Sequence, residues 1–186
     1  MIEHHGVDPD RVFVTGLSNG GMMAQRLLIE TPETFAAGAS FIANLPDRDD
    51  LVGPDSPVPL LLANGTEDPL MPWDGGKIAD RDRGTVKSVA ETREWWIKTN
   101  RATPDGLGIV QIKNTNRRDG CTLTTERFNA GPGGAALEIL TMEGGGHSMP
   151  STNYTFAGEL LLEPIVGPLC RDAGGVRLAW DFFVSS

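Results

Sequence analysis

Short apolar runs alternate along this chain with polar, glycine- and proline-rich punctuation, and the two periodicities among them predict its elements. Residues Met1–His5 read as the tail of a helix stopped by Gly6. After the turn Val7–Arg11, the run Val12–Thr15 is β-branched and aromatic, as expected of a strand covered on both faces. Asn19–Glu30 has helical spacing, with Met22, Met23, Arg26, Leu27 and Ile29 on one broad face; Met22 and Met23 read as core filler. Thr31-Pro32 ends it. Phe35–Ala43 and Val58–Gly65 predict two more buried strands, separated by the polar, proline-rich loop Asn44–Pro57. Ser88–Asn100 is the longest clear helix, with Val89, Thr92, Trp96 and Ile97 in one stripe. Trp95 and Trp96 are adjacent, so at most one can point fully inward. Residues 101–120 read as a weakly patterned connector. Thr122–Asn129 and Ala136–Met142 alternate as neighbouring strands around the turn Gly131–Gly134. Ser151–Arg171 reads as loop with apolar pieces, suited to a lid or wall. Ala173–Val184 closes as a helix, with Val176, Ala179, Trp180 and Phe183 as its apolar set. This order predicts an α/β fold: a mostly parallel sheet with helices on both faces, in a single domain over residues 1–186. No internal repeat and no linker divides the chain.

Composition narrows the function classes. At 186 residues, 39% hydrophobic and 22% charged, the chain can bury one ordinary core. A net charge of −9 argues against nucleic acid or an anionic membrane as partner. No apolar run is long enough to span a bilayer, and the first residues lack the basic start and apolar core of a signal peptide. The compartment stays open. Cys121 and Cys170 are either two thiols or one bridge, and neither has a partner at metal-ligand spacing. His4-His5 alone is a poor zinc site, so no metal is expected.

The chemistry concentrates at three predicted strand ends. Gly16-Leu17-Ser18-Asn19-Gly20 fits the G-x-S-x-G turn that lifts a serine hydroxyl above a sheet between strand and helix. The glycines are expected there because side chains would collide with the neighbouring strand and helix. A serine becomes a useful nucleophile only beside a base that a third group orients. Of the three histidines, only His147 follows a predicted strand, behind Gly144-Gly145-Gly146, whose bare backbone would approach the serine closely. Asp68 follows the strand ending near Gly65; Glu67 and Asp74 are its rivals, and an ordinary Asp-Pro turn is the bland alternative. Ser18, Asp68 and His147 thus stand in the chain order nucleophile, acid, base. The N–H of Asn19 is the expected oxyanion donor; a second donor of the HGGG type has no counterpart ahead of Val12. A reaction of this kind needs no metal or organic cofactor.

With these residues in place the chain resembles the polyhydroxybutyrate depolymerase and feruloyl/acetylxylan esterase group of α/β-hydrolases. The resemblance rests on Val7–Met23, Asn64–Gly76, Glu143–Pro150 and the closing Trp180-Asp181-Phe182-Phe183. It implies an α/β-hydrolase sheet in which Ser18 is the nucleophile, Asp68 the acid and His147 the base. It also implies that Trp73 and Met149 sit beside the mouth of the site. Met149 stands where relatives commonly have Trp, and Arg101 follows Asn100 where they often carry Cys. Relatives, often secreted, have several strands ahead of the segment at His5, so the chain corresponds to the C-terminal two-thirds of the usual fold, shortened at its N-terminus. The strand carrying Ser18 would then be the sheet edge, and a homodimer or higher homo-oligomer is expected to cover it. The expected activity is serine carboxylic-ester hydrolysis through an acyl-enzyme, on small acyl or aryl esters. Polyester and feruloyl substrates follow from the resemblance alone. The alternatives are a peptidase of the same fold and a catalytically weak remnant serving as an interaction module.

Overall fold

Parallel pairing of four apolar runs sets the architecture. The computed structural model describes residues 6–80, 83–152 and 159–186, so the expected helix tail Met1–His5 lies outside the described residues. In chain order the main elements are β1 (Phe13–Leu17), α1 (Asn19–Glu30), β2 (Ala37–Phe41), β3 (Leu60–Gly65), the short ribbon strands β4 (Gly76–Lys77) and β5 (Thr85–Val86), and α2 (Val89–Thr99). Then come β6 (Ala102–Gln111), β7 (Thr122–Ala130), β8 (Leu137–Glu143), α3 (Glu159–Val166) and α4 (Gly175–Ser185). The six-stranded sheet has the order β1-β2-β3-β8-β7-β6. Its first four strands run parallel, and β7 and β6 continue it antiparallel. The carboxyl ends of β1, β2, β3 and β8 therefore lie on one side, which is where an open α/β sheet builds its sites.

Helices cover both faces, as the alternation of elements predicts. On one face Leu28 of α1 and Trp96 of α2 pack with Leu60, Leu62, Leu137 and Ile139. On the other, Ala179 and Phe182 of α4 pack with Ala39, Phe41, Leu61 and Met142. β2 and β3 are buried along their whole length, as expected of central parallel strands. β1 departs from the expectation. It is half-buried, with Thr15 and Leu17 exposed, because among the described residues it pairs on one side only.

Two helices bury a different face from the one read in the sequence. In α1 the buried residues are Gly21, Ala24, Gln25 and Leu28, while Met23 is 50% exposed. The sharp turn at Ser18 dictates this rotation. It brings Gly21 against β2, where a Cβ would lie 2.7 Å from that of Ala43, and the next contacts follow at i+3, i+4 and i+7. Gln25 is thereby buried and fully used: it donates to Ser40 Oγ (3.0 Å) and the Ala43 carbonyl (3.0 Å), and accepts from Trp96 Nε1 (2.8 Å). In α4 the buried set is Gly175, Ala179 and Phe182, with Val176 and Trp180 largely exposed. Phe183 stacks on Phe13 of β1 at 4.7 Å.

The stretch 101–120 is not a plain connector. It contains β6, whose pairing with β7 shifts register between Pro104 and Ile109. Pro104, Gly106 and Gly108 interrupt the strand pattern, and Leu107, Ile109 and Val110 are exposed at the sheet edge, so no alternation marks it. Ser151–Arg171, read as loop, includes α3; residues 153–158 lie outside the described residues. The two cysteines form a Cys121–Cys170 disulfide, one of the two states the sequence left open.

α2 opens with a capping box. Ser88 Oγ accepts from the Glu91 N–H, and Glu91 accepts from the Ser88 N–H and hydroxyl, which holds its carboxyl below the usual carboxylate range. Ser88→Ala is expected to destabilise the fold by about 1 kcal/mol. The check is a lower urea midpoint at unchanged slope.

Candidate active site

Three of the parallel strands each deliver one polar residue to the same end of the sheet. Ser18 sits between β1 and α1 with φ 54° and ψ −119°, a left-handed, strained conformation for a residue with a side chain. The turn is held by Ser18 N–H on the Phe41 carbonyl (3.0 Å) and Met22 N–H on the Ser18 carbonyl (2.9 Å). Gly16 is required because a Cβ there would lie within the Gly20 carbonyl. The second required glycine is Gly21, not Gly20: a Cβ on Gly20 meets nothing within 4 Å. Collision therefore explains the first glycine of the motif, while helix packing one residue beyond it explains the other.

Asp68 lies on the turn after β3. Its Oδ1 accepts from the Leu70 and Met71 N–H groups, both at 2.8 Å, and its side chain is 2% exposed. That turn geometry is the Asp-Pro chemistry visible in sequence, and it aims the carboxylate inward. His147 follows β8 through Gly144–Gly146. Its backbone N–H donates to the Val166 carbonyl, and that of Gly146 to the Pro168 carbonyl (2.7 Å). Gly145 and Gly146 make room for the segment 166–170, and Gly144 for the Gly120 carbonyl, rather than for the serine. A Cβ on Gly146 would overlap the Val166 carbonyl, and one on Gly145 would lie 2.7 Å from Cys170 Sγ.

The three side chains form one hydrogen-bonded line. His147 Nε2 is 2.9 Å from Ser18 Oγ, and His147 Nδ1 is 2.8 and 3.0 Å from the two Asp68 oxygens. An ionised carboxylate can only accept, so with Asp68 ionised Nδ1 carries the proton and Nε2 accepts from the serine hydroxyl. A hydroxyl bonded to such an imidazole can be deprotonated as it attacks a carbonyl. Asn19 is the first residue of α1, so its N–H has no carbonyl behind it to bond within the helix.

The rivals for the acid fall elsewhere: Glu67 and Asp74 are exposed. Trp73 helps line a cleft of about 500 Å³ with Val89, Arg93, Ile97, Ile109 and Ile139, between α2 and strands β6 to β8. Met149 packs against Gly175 at the start of α4. Among the described residues, no cluster of three His, Cys, Asp or Glu is placed to hold a metal ion. Sequence reasoning missed the residues that support the line. Thr66 Oγ1 accepts from the Gly144 N–H (2.8 Å), joining the Asp68 turn to the His147 loop, and Asn44 and Asn64 are buried beside the Asp68 turn. A polar residue at the last position of an all-apolar run was the available signal for Asn64.

Residues 1–46 match the prolyl oligopeptidase family. Over 96% of its length the chain is 32% identical to the proposed esterase NocK of Nocardia uniformis subsp. tsuyamanensis, covering 52% of that protein. Along most of its length the chain is thus similar to proteins named as esterases. Feruloyl esterase B of Piromyces equi is a more distant relative, 26% identical over 76% of this chain and 26% of its own length. Among solved structures, acetyl xylan esterase from Aspergillus awamori aligns over 87% of this chain and 61% of its own, with a TM-score of 0.48 and 18% identity. The chain spans about half the length of NocK and about a quarter of feruloyl esterase B. No helix among its described residues is long and apolar enough to cross a membrane.

Proposed function

We propose that the chain is a serine carboxylic-ester hydrolase working through an acyl-enzyme. The observation that carries this reading is the line from Ser18 Oγ through His147 to the buried Asp68 carboxylate. Ser18 Oγ attacks the ester carbonyl carbon while His147 Nε2 takes its proton. The oxyanion that forms is met by the Asn19 N–H. Collapse expels the alcohol as His147 returns the proton to the leaving oxygen, and Ser18 is left acylated. Water then attacks the acyl carbon with His147 again as base, releasing the acid and restoring the serine. Asp68 holds the Nδ1 proton in place and stabilises the imidazolium at each stage. Small acyl or aryl esters are the substrate class this reading favours.

The match to the prolyl oligopeptidase family favours a second reading, a peptidase using the same three residues. The ester reading ranks first because the relatives aligned along most of the chain are named as esterases. One experiment tests both: hydrolysis of a short p-nitrophenyl ester against an equivalent p-nitroanilide, with fluorophosphonate labelling of the protein. Ester turnover with labelling at Ser18 is expected. Preferential anilide cleavage would favour the peptidase, and neither labelling nor turnover would leave only a non-catalytic interaction module.

A further inference from the structure

Asn44 has no place in the chemistry above, yet it is fully buried and its carboxamide makes three directed hydrogen bonds. It accepts from Asn64 Nδ2 (3.0 Å) and donates to the Pro72 carbonyl (3.1 Å) and the Lys87 carbonyl (2.9 Å). These partners flank Asp68 on both sides. Asn64 lies at the end of β3, four residues before Asp68. Pro72 follows Met71, and Leu70 and Met71 supply the two N–H groups that hold Asp68 Oδ1. The rest of that turn hangs on backbone bonds: Ala79 N–H to the Leu70 carbonyl (2.7 Å) and Val89 N–H to the Trp73 carbonyl (2.9 Å). One carboxamide therefore joins the strand that Asp68 leaves to the turn that fixes its carboxylate.

The position of Asn44 is also well determined. The backbone reaches it through Ile42 in a left-handed conformation (φ 45°), and Gln25 of α1 donates to the carbonyl of the residue before it. The Leu45 N–H that follows donates to Thr92 Oγ1 of α2. Both helices on that face are thus hydrogen-bonded to the segment that carries Asn44. An apolar side chain in its place would take this partner from the Pro72 and Lys87 carbonyls and from the Asn64 amide, so the position calls for a carboxamide.

We infer that Asn44, with Asn64, is a positioning residue for the acid of the proposed triad: it sets the Leu70–Met71 N–H groups against Asp68 and so fixes the angle at which Asp68 meets His147. This rests on the esterase reading. Displacement of a catalytic group by about 1 Å can cost on the order of 100-fold in rate. Asn44→Ala is expected to lower kcat on a p-nitrophenyl ester by between about 10- and 100-fold, with KM within about twofold.

The deciding measurement is a double-mutant cycle with Asp68→Asn, read as kcat and as the rate of fluorophosphonate labelling of Ser18. If Asn44 acts through Asp68, its loss costs little more once Asp68 is gone. Asn64→Ala, which removes the partner that orients the Asn44 amide, is expected to give a smaller loss that also vanishes in the Asp68→Asn background. It decides the matter should Asn44→Ala fail to fold. Folded variants with wild-type kcat would overturn the assignment, and so would a loss of equal factor in both backgrounds. A wild-type protein that neither labels nor hydrolyses the ester would instead sink the esterase reading itself, and this inference with it.

Discussion

Ser18→Ala is expected to reduce kcat on a p-nitrophenyl ester by roughly 10⁶-fold, to the level left by binding and oxyanion contacts alone. The substitution removes the hydroxyl oxygen that lies 2.9 Å from His147 Nε2. Folding should survive. Ser18 makes no side-chain cap for α1, and the turn is held by its backbone N–H and carbonyl, which alanine retains. Alanine must adopt the same positive φ, a cost serine already bears. The check is steady-state hydrolysis by the purified variant together with loss of phosphonate labelling. Turnover within tenfold of wild type would exclude Ser18 as nucleophile.

Asp68→Asn is expected to cost about 10⁴-fold in kcat with KM little changed. An asparagine Oδ1 can still accept from Leu70 and Met71, so the turn is kept. Its Nδ2, however, is a donor and would face Nδ1 of His147 where a carboxylate oxygen now sits at 2.8 Å. Two donors cannot share that contact. The imidazole then favours the tautomer with its proton on Nε2, which leaves no lone pair for the Ser18 hydroxyl. Steady-state kinetics at fixed pH distinguish this from a binding defect. A variant that loses activity through KM alone would mean that Asp68 orders substrate rather than His147.

The elements that the chain announces most clearly are those whose local pattern and tertiary role agree. β2 and β3 are continuous apolar runs because both faces are covered, and α2 carries both its apolar stripe and its cap signal in adjacent residues. α1 is less legible, because its buried face is defined by the small residues Gly21 and Ala24 and the polar Gln25, which hydropathy does not count as core. β6 was hardest. An edge strand broken by Pro104 and two glycines has no alternation to detect, and its pairing to β7 supplies the order that the local pattern lacks.

At the site, residue type and chain order alone single out Ser18, Asp68 and His147, because a strained Gly-x-Ser turn, an Asp-Pro turn and a glycine-flanked histidine are each local chemistry. Their meeting is not local. Ser18 and His147 are 129 residues apart, and they come within 2.9 Å only because β1, β2, β3 and β8 run parallel and end together. Tertiary packing likewise chooses between thiols and a bridge for Cys121 and Cys170, at 49 residues' separation. It also turns Asn44, in sequence the first residue of a polar loop, into a buried amide bonded to three segments. Sequence determines which residues have the right chemistry and the right local turn. The register of the parallel strands decides which of them share a hydrogen bond, since a contact 20 to 129 residues distant depends on how the intervening chain packs.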